Sequence, residues 1–201
     1  MSIVIRVFPF KEYNRYVKNI VRQKYIEIRK NIINKKEKSL IIKDRVLSLL
    51  TDYHVIGVYA SMDDEVSSDE LIEELLKQSK VVVVPVIQKD SISFYQIKSL
   101  SELNNRDNKY QIREPYIENA VFIDKKDIEA MIIPGIVFDT SLSRIGFGKG
   151  CFDKYLADTT FYKIGVCFDE QISEKEIPHH RYDVKMDMII SDQRMIKYDS
   201  K

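Results

Sequence analysis

Residues 80–87 read Lys80-Val81-Val82-Val83-Val84-Pro85-Val86-Ile87, an almost unbroken run of β-branched residues. Such a run is typical of a strand that is buried on both faces, as in a parallel sheet covered by helices. On either side of it, further apolar runs of strand length alternate with helical patterns. These runs are His54–Ala60, Ala130–Pro134, Lys163–Phe168 and Met186–Ile190. The alternation predicts an α/β protein, a three-layer sandwich with a largely parallel central sheet.

Helical patterns fill much of the remaining chain. Apolar residues recur at helical spacing over residues 12–32 and again over 38–50. Ser67 and Glu70 have the spacing of a capping box, which predicts that a third helix opens there. A fourth predicted helix runs from Gly150 to about Asp158.

Two segments have weaker patterns. Residues 91–97 alternate between apolar and polar, which predicts a more exposed strand. Residues 98–127 are polar and irregular, and we expect a long connection that contributes little to the core.

The composition excludes several classes of protein. A chain of 201 residues, 44% of them hydrophobic, has the size of one domain. Its two cysteines, Cys151 and Cys167, form no Cys-x-x-Cys or Cys/His cluster, which excludes a zinc module and a disulfide scaffold and favours a reducing, cytoplasmic compartment. No segment approaches the ~20 apolar residues of a membrane span. The first nine residues lack the features of a secretory signal. The basic stretch after them is compatible with an organelle targeting peptide.

The charge is balanced overall but unevenly distributed. Lys and Arg total 32, and Asp and Glu total 31. Residues 1–50 hold 13 and 4 of these, a net charge of +9, whereas the remaining residues hold 19 and 27, a net charge of −8. This basic segment could face a nucleotide, an acidic surface or nucleic acid, or it could be a solvated helix face.

Three of the six glycines lie within five residues, in Gly146-Phe147-Gly148-Lys149-Gly150. Glycine lets a ligand approach the backbone closely, and free N–H groups at the start of a helix favour an anion. Arg144 and Lys149 place two cations beside these groups. The cluster predicts a phosphate-binding loop, although its spacing fits neither the P-loop nor the dinucleotide fingerprint.

Asp153 follows this loop within one helical turn. A carboxylate near polyphosphate is repelled unless a cation bridges the two, and Mg²⁺ binds phosphates together with one or two carboxylates. An acid that only complements the helix dipole is the alternative. Asp183 and Asp187, both near the last predicted strand, are the candidates for a second carboxylate.

The glycine cluster and its neighbours resemble the signature of the 5-formyltetrahydrofolate cyclo-ligase family. The matching residues are Ile133–Asp139 and Arg144–Leu156, and the specific part is Arg-x-Gly-x-Gly-x-Gly with its following Asp. Three further segments resemble the family in the same order: Lys18–Arg22, Tyr59–Val66, and Phe168–Asp187. The resemblance covers about residues 18–192.

The resemblance implies a single domain of the NagB/RpiA/CoA-transferase-like type over residues 18–201, with residues 1–17 as an N-terminal extension. It also implies a ligase of one-carbon metabolism that converts 5-formyltetrahydrofolate and ATP into 5,10-methenyltetrahydrofolate, ADP and phosphate. Such chemistry needs positioning and charge neutralisation rather than a protein nucleophile. This agrees with a chain that shows glycines, cations and carboxylates but no catalytic triad.

The resemblance also implies site residues. Arg144 and Lys149 would be catalytic, neutralising phosphate charge, and Mg²⁺ would be held by Asp153 and Asp183. The folate would contact Ala60, Glu65, Phe147 and Phe152, with Glu65 accepting hydrogen bonds from the pterin N–H groups. The ATP site would comprise Lys18, Arg22, Arg144, Ile145, Gly146, Phe147, Gly148, Lys149, Gly150, Cys151 and Phe152.

Lys18, Arg22 and Arg29 fall within about 40° of one another on the first helix and form a basic stripe. This stripe borders the apolar face of the helix, so we expect it to overhang a site. The chain departs from the family at Cys151 and Phe152, where two tyrosines are usual, and folate affinity or orientation would differ accordingly.

Two alternatives remain at this point. The same fold could act on another N-formyl or folate-like substrate, which the change at Cys151 and Phe152 would favour. The basic first 50 residues could instead form a nucleic-acid-binding module, but this leaves the glycine loop and Asp153 unexplained. We expect a monomer that binds ATP and a folate, with or without a polyglutamate tail, and that binds neither nucleic acid nor membrane.

Overall fold

The computed structural model describes residues 10–88, 91–108 and 111–198. Within them the α-helices are α1 (Phe10–Lys30), α2 (Lys35–Leu49), α3 (Asp69–Lys77) and α4 (Cys151–Leu156). The strands are β1 (Val55–Gly57), β2 (Val81–Gln88), β3 (Ser91–Ile97), β4 (Val121–Ile123), β5 (Ala130–Pro134), β6 (Val137–Asp139), β7 (Arg144–Ile145), β8 (Tyr162–Val166), β9 (Ile172–Ser173), β10 (Met188–Ile190) and β11 (Met195–Lys197).

The central sheet has eight strands in the order β11-β10-β8-β5-β1-β2-β3-β4. The five strands from β10 to β2 run parallel to their neighbours, and β11, β3 and β4 are antiparallel at the two edges. A smaller sheet has the order β7-β6-β9. The predicted α/β architecture with a largely parallel sheet is confirmed.

Alternate residues of the central strands enter two separate cores, as the period of a pleated strand requires. Val82 and Val84 of β2 pack in the cluster that contains Ile42 of α2 and Leu75 of α3. Val83, between them, packs on the opposite face in the cluster that contains Phe138 of β6, together with Leu156 of α4. Helices therefore cover one face of the sheet, and α4 with the small sheet covers the other.

The basic first helix lies against the small sheet. Tyr25 of α1 packs in a third cluster with Val137 of β6 and Ile145 of β7. This packing brings α1 to the loop that follows β7. No helix in the described part of the chain is long and apolar enough to cross a membrane.

The extension predicted over residues 1–17 lies partly outside the described residues, which begin at residue 10. From Phe10 onward the chain is already α1, and this helix passes position 17 without a break. The boundary between extension and domain therefore has no counterpart in the secondary structure.

The predicted capping box at Ser67 is wrong. The residue that precedes α3 is Ser68, and it makes no side-chain hydrogen bond to the helix. Ser67 Oγ instead donates to Glu70 Oε2 at 2.6 Å, and Ser68 Oγ accepts the N–H of Ser61 at 3.0 Å. Ser68 thus ties the start of α3 to the segment that follows β1, while Ser67 bonds within the first turn of the helix.

Strand β3 is more buried than its alternating pattern predicts. Its Phe94 ring packs on Tyr155 of α4, with 4.8 Å between the ring centroids, while Ile97 is buried in the core on the other face. The predicted connection over residues 98–127 also contains β4, which pairs with β3. Strand β4 is only three residues long, and Val121 and Phe122 are exposed, so no hydrophobic period marked it.

Candidate active site

The glycine loop joins β7 to α4. Gly148 has φ +92° and Gly150, the residue before α4, has φ +68°. Both values lie in the left-handed region that glycine enters without steric cost. The hairpin of β6 and β7 lies between β5 and this loop. That hairpin carries the loop out to α1.

The basic stripe of α1 faces this loop. Arg22 Nε donates to the carbonyl oxygen of Gly146 at 2.7 Å, and Lys18 Nζ forms an ion pair with Asp183 Oδ2. A Cβ on Gly148 would lie 3.0 Å from the Arg22 guanidinium. Partial burial lowers the pKa of Arg22. The expected overhang of the stripe is therefore present: Arg22 lies against the loop, and Lys18, one turn earlier, lies against Asp183.

Arg144 is buried at the base of the loop. Its Nη1 donates to the carbonyl oxygen of Pro134 at 3.1 Å, and its Nη2 lies 3.3 Å from Asp153 Oδ1. Its guanidinium carbon lies 5.5 Å from the centroid of the Phe152 ring. Arg144 is therefore buried and paired with Asp153, whereas Lys149, the other cation of the loop, is exposed to solvent.

Glu65 is buried next to the C-terminal end of α1. Its Oε1 lies 3.5 Å from Arg29 Nη1, and its Oε2 accepts the N–H of Met62 at 3.0 Å. Burial raises the pKa of Glu65, although these two donors oppose the shift. Tyr59, whose hydroxyl donates to the carbonyl oxygen of Val66 at 2.6 Å, completes the surroundings, and burial raises its pKa well above the ordinary value.

The remaining predicted residues occupy varied positions. Ala60 is buried at the end of β1, and Ile145 is buried against α1, so neither exposes a side chain. Phe147 is half exposed at the tip of the loop, where its ring centroid lies 5.4 Å from the guanidinium carbon of Arg29. Cys151 and Phe152 are partly buried in the core beneath α4.

The two candidates for the second carboxylate differ in position. Asp183 contacts Lys18 and accepts the N–H of His180, so it lies next to the basic stripe of α1. Asp187 instead accepts the N–H of Lys163 at 2.7 Å and pairs with its ammonium at 3.1 Å, at the start of β8. The contacts therefore favour Asp183 over Asp187 as a site residue.

The donor chemistry fits a magnesium ion that is bound together with phosphates. Asp153 and Asp183 offer carboxylate oxygens, the ligands that Mg²⁺ prefers. The described part of the chain contains no group of three or more His, Cys, Asp or Glu side chains that could hold a metal by themselves. Any magnesium here would therefore need oxygens from a ligand as well as from these carboxylates.

Some supporting residues were missed by the sequence reasoning. Gln171 Nε2 donates to the carbonyl oxygens of Gly135 and Ile136, at 3.0 and 2.9 Å, and so holds the turn between β5 and β6. Asp139, fully buried, accepts N–H groups from Ser143 and Ile177. Gln171 and Asp139 both lie within segments that resemble the family, but no local pattern marks either side chain as a support for these turns.

The contact between Arg29 and Glu65 was also missed. Arg29 had been recognised only as part of the basic stripe, and Glu65 only through the resemblance. The two residues lie 36 positions apart, and no local pattern connects them.

Comparisons with known proteins agree with the resemblance. A sequence profile of the 5-formyltetrahydrofolate cyclo-ligase family matches residues 14–192, a range that includes every site residue discussed above. A probable 5-formyltetrahydrofolate cyclo-ligase of Schizosaccharomyces pombe is 33% identical over 147 residues, which cover 66% of this chain and 72% of the relative. The 5-formyltetrahydrofolate cyclo-ligase of Escherichia coli K12 is 28% identical over 148 residues, covering 71% and 80%.

Solved structures show the same fold. The 5,10-methenyltetrahydrofolate synthetase of Aquifex aeolicus superposes with a TM-score of 0.76 at 25% identity and covers 92% of this chain and 94% of its own. That of Mycoplasma pneumoniae superposes with a TM-score of 0.70 at 24% identity, covering 87% and 98%.

Proposed function

The chain belongs to the 5-formyltetrahydrofolate cyclo-ligase family, and we propose on that basis that it converts 5-formyltetrahydrofolate into 5,10-methenyltetrahydrofolate while ATP is cleaved to ADP and phosphate. One observation carries the proposal beyond family membership. Arg29 contacts both Glu65, the residue expected to bind the pterin, and Phe147 at the tip of the glycine loop. The expected folate and nucleotide sites therefore adjoin, as a direct transfer between them requires.

The chemistry explains why no protein nucleophile is needed. The formyl oxygen of the substrate attacks the γ-phosphorus of ATP, and ADP leaves. N10 then attacks the formyl carbon, the C–O bond breaks with its electron pair going to phosphate, and N10 gives up its proton. Phosphoryl transfer of this kind depends on positioning and on neutralising charge.

The cations around the loop would supply that neutralisation. Lys149 is exposed on the loop and is free to meet a phosphate, and Lys18 and Arg22 approach from α1. Arg144 would neutralise phosphate charge from the base of the loop, where its guanidinium is already fixed by Pro134 and Asp153. The ion pair of Lys18 with Asp183 would be exchanged when the nucleotide binds, whereas Arg144 would keep its contact with Asp153.

Magnesium would be held by Asp153 and Asp183 together with phosphate oxygens, and it would neutralise the polyphosphate charge. Glu65 would orient the pterin through its N–H groups, and the Phe147 and Phe152 rings would border the substrate. The carboxylates themselves would keep their positions through Arg144 and through the N–H of His180.

We further propose that the protein acts as a monomer in the cytoplasm and that its folate can carry several glutamates. The two cysteines form no disulfide, which supports a reducing compartment.

The test is an absorbance assay of the methenyl product with purified protein, 5-formyltetrahydrofolate, ATP and Mg²⁺. We expect the absorbance of the methenyl product to increase only when 5-formyltetrahydrofolate, ATP and Mg²⁺ are all present. Asp153→Asn should reduce kcat by at least about 100-fold, because a neutral amide cannot replace the carboxylate beside the phosphates. Asp158→Asn is the matched control: Asp158 is exposed just after α4 and has φ +58°, which asparagine tolerates, so its activity should equal that of the wild type.

Absence of product from folded protein that still binds ATP would reject formyl-folate as the substrate. The same assay with other N-formyl compounds would then test the alternative that the enzyme acts on another N-formyl or folate-like substrate. The replacement of the family's two tyrosines by Cys151 and Phe152 is the reason to consider it. If the wild type forms the product and Asp153→Asn is equally active, the proposed reaction stands, but the assignment of Asp153 as a metal ligand is rejected.

A further inference from the structure

Arg29 is an unusual residue for the interior of a protein. It lies in the last turn of α1 and is only 5% exposed. One guanidinium nitrogen lies 3.5 Å from Glu65, the plane approaches the Phe147 ring, and Nε has no hydrogen-bond partner among the described residues. A buried donor without a partner costs free energy, so its retention calls for an explanation.

Stability does not supply that explanation. A buried ion pair gives little net stabilisation unless its geometry is excellent and its other donors are satisfied. Arg113 and Asp69 show what a closed pair looks like in this chain, because two guanidinium nitrogens donate to the two carboxylate oxygens. Arg29 makes a single long contact instead, which leaves Glu65 Oε1 open to another donor.

The charges around Glu65 show what Arg29 does there. Burial favours the neutral acid, and Asp64, adjacent in the chain, acts in the same direction; Arg29 from α1 and the N–H of Met62 oppose them. Tyr59 faces the same space, with Asp69 of α3 and Cys167 after β8 beyond it. Among these neighbours Arg29 is the cation, so removing it would let burial raise the pKa of Glu65 further.

We propose that Arg29 is the positioning residue of the folate site: it keeps the buried Glu65 carboxylate ionised and oriented for the pterin and, through Phe147, joins it to the glycine loop. This inference rests on the proposed function. Arg29 acts through Glu65 and need not touch a reacting atom. A carboxylate that accepts hydrogen bonds from the pterin N–H groups must be ionised, and the inference therefore concerns folate affinity and its dependence on pH.

The test compares Arg29→Gln and Arg29→Lys with the matched control Arg15→Gln, which changes an exposed arginine of the same helix. Values of KM for 5-formyltetrahydrofolate and for ATP are measured from pH 6 to pH 8.5, and thermal unfolding verifies that each variant is folded. For Arg29→Gln we expect the folate KM to rise as the pH falls, by about tenfold per pH unit below the raised pKa. Its ATP KM should stay near that of the wild type.

The folate KM should rise at low pH because a protonated Glu65 cannot accept the pterin hydrogen bonds, and protonation of Glu65 increases as the pH falls. Arg29→Lys, which keeps a cation, and Arg15→Gln should both retain the pH profile of the wild type. If Arg29→Gln is folded and shows either the wild-type folate KM or a pH-independent increase, the inference is overturned while the proposed function stands. If the wild type forms no methenyl product, the proposed function fails first.

Discussion

Single residues in the glycine loop are constrained by what a side chain would meet. Gly148 and Gly150 both have positive φ, but their surroundings differ. A Cβ on Gly148 would press on the Arg22 guanidinium, whereas a Cβ on Gly150 would have no heavy atom within 4 Å. The pair therefore separates the cost of backbone strain from the cost of displacing a cation.

Gly148→Ala should raise the KM for ATP by about tenfold or more, because the methyl group forces Arg22 away from the Gly146 carbonyl oxygen and adds backbone strain of roughly 1 kcal/mol. Gly150→Ala should show the smaller effect of backbone strain alone. Steady-state kinetics at varied ATP would measure both values. Equal KM values for the two variants would show that the contact between Arg22 and the loop does not matter for the nucleotide.

At the scale of secondary-structure elements, the Phe138 ring is a tight contact between the small sheet and the central sheet. Phe138 of β6 is fully buried, and a Cβ built on Gly165 of β8 would lie 2.5 Å from its ring. A Cβ built on Gly57 of β1 would instead lie 2.8 Å from the terminal methyl of Met131, which is the end of a flexible side chain. The two glycines thus lie on strands of the same sheet but face neighbours of different rigidity.

Gly165→Ala should lower the free energy of unfolding by about 2 to 3 kcal/mol, since a rigid ring in a packed core cannot move aside. Gly57→Ala should cost less, about 1 kcal/mol, because Met131 can change rotamer. Urea unfolding of the two variants beside the wild type gives the comparison. A larger loss for Gly57→Ala would mean that Phe138 does not fix the distance between the two sheets.

Elements differed in how well the sequence predicted them. Long helices such as α1 and buried strands such as β2 were predicted because their hydrophobic periods extend over many residues. Strands β7 and β9 have two residues each and cannot carry a period. Strand β9 exists because it pairs with β6 across the chain, Phe138 with Ile172, which is a tertiary fact.

The site was predictable to a similar degree. The glycine loop and Asp153 are local in sequence, and composition together with spacing indicated a phosphate site. The approach of α1 was anticipated from the stripe of Lys18, Arg22 and Arg29, but its partners were not. Whether Lys18 meets Asp183 or Arg29 meets Glu65 depends on how helices dock, and docking leaves no trace in local spacing.

At the scale of the whole molecule, the charge asymmetry between the two parts of the sequence becomes internal pairing. Among the described residues, cations of the first 50 positions contact acids from the rest of the chain in five ion pairs. These are Lys18–Asp183, Arg29–Glu65, Lys35–Asp64, Lys38–Glu170 and Lys38–Asp192. Part of the basic character that suggested a nucleic-acid module thus holds α1 and α2 against the remainder of the fold.

Lys38 offers a test of this pairing. It lies between Glu170 and Asp192, which raise its pKa although partial burial opposes them. Lys38→Gln should lower the free energy of unfolding by about 1 kcal/mol at 0.05 M NaCl, and the difference from the wild type should shrink at about 0.5 M because salt screens partly exposed pairs.

Lys43→Gln is the control on the same helix, because Lys43 pairs with its neighbour Asp44 and contacts no acid elsewhere among the described residues. Urea unfolding at the two salt concentrations measures both variants. A salt-independent deficit for Lys38→Gln would show that its alkyl chain, not its charge, holds α2 in place.

The pair between Lys18 and Asp183 joins residues 165 positions apart. A ribosome adds about 5–20 residues per second, so on the order of 10 to 30 s separate the synthesis of the lysine from that of its acid. Throughout that interval the first helix carries its cations without the carboxylate that later holds Lys18. A polypeptide released before residue 183 therefore lacks this contact for good, and the rim of the proposed nucleotide site is completed only late in translation.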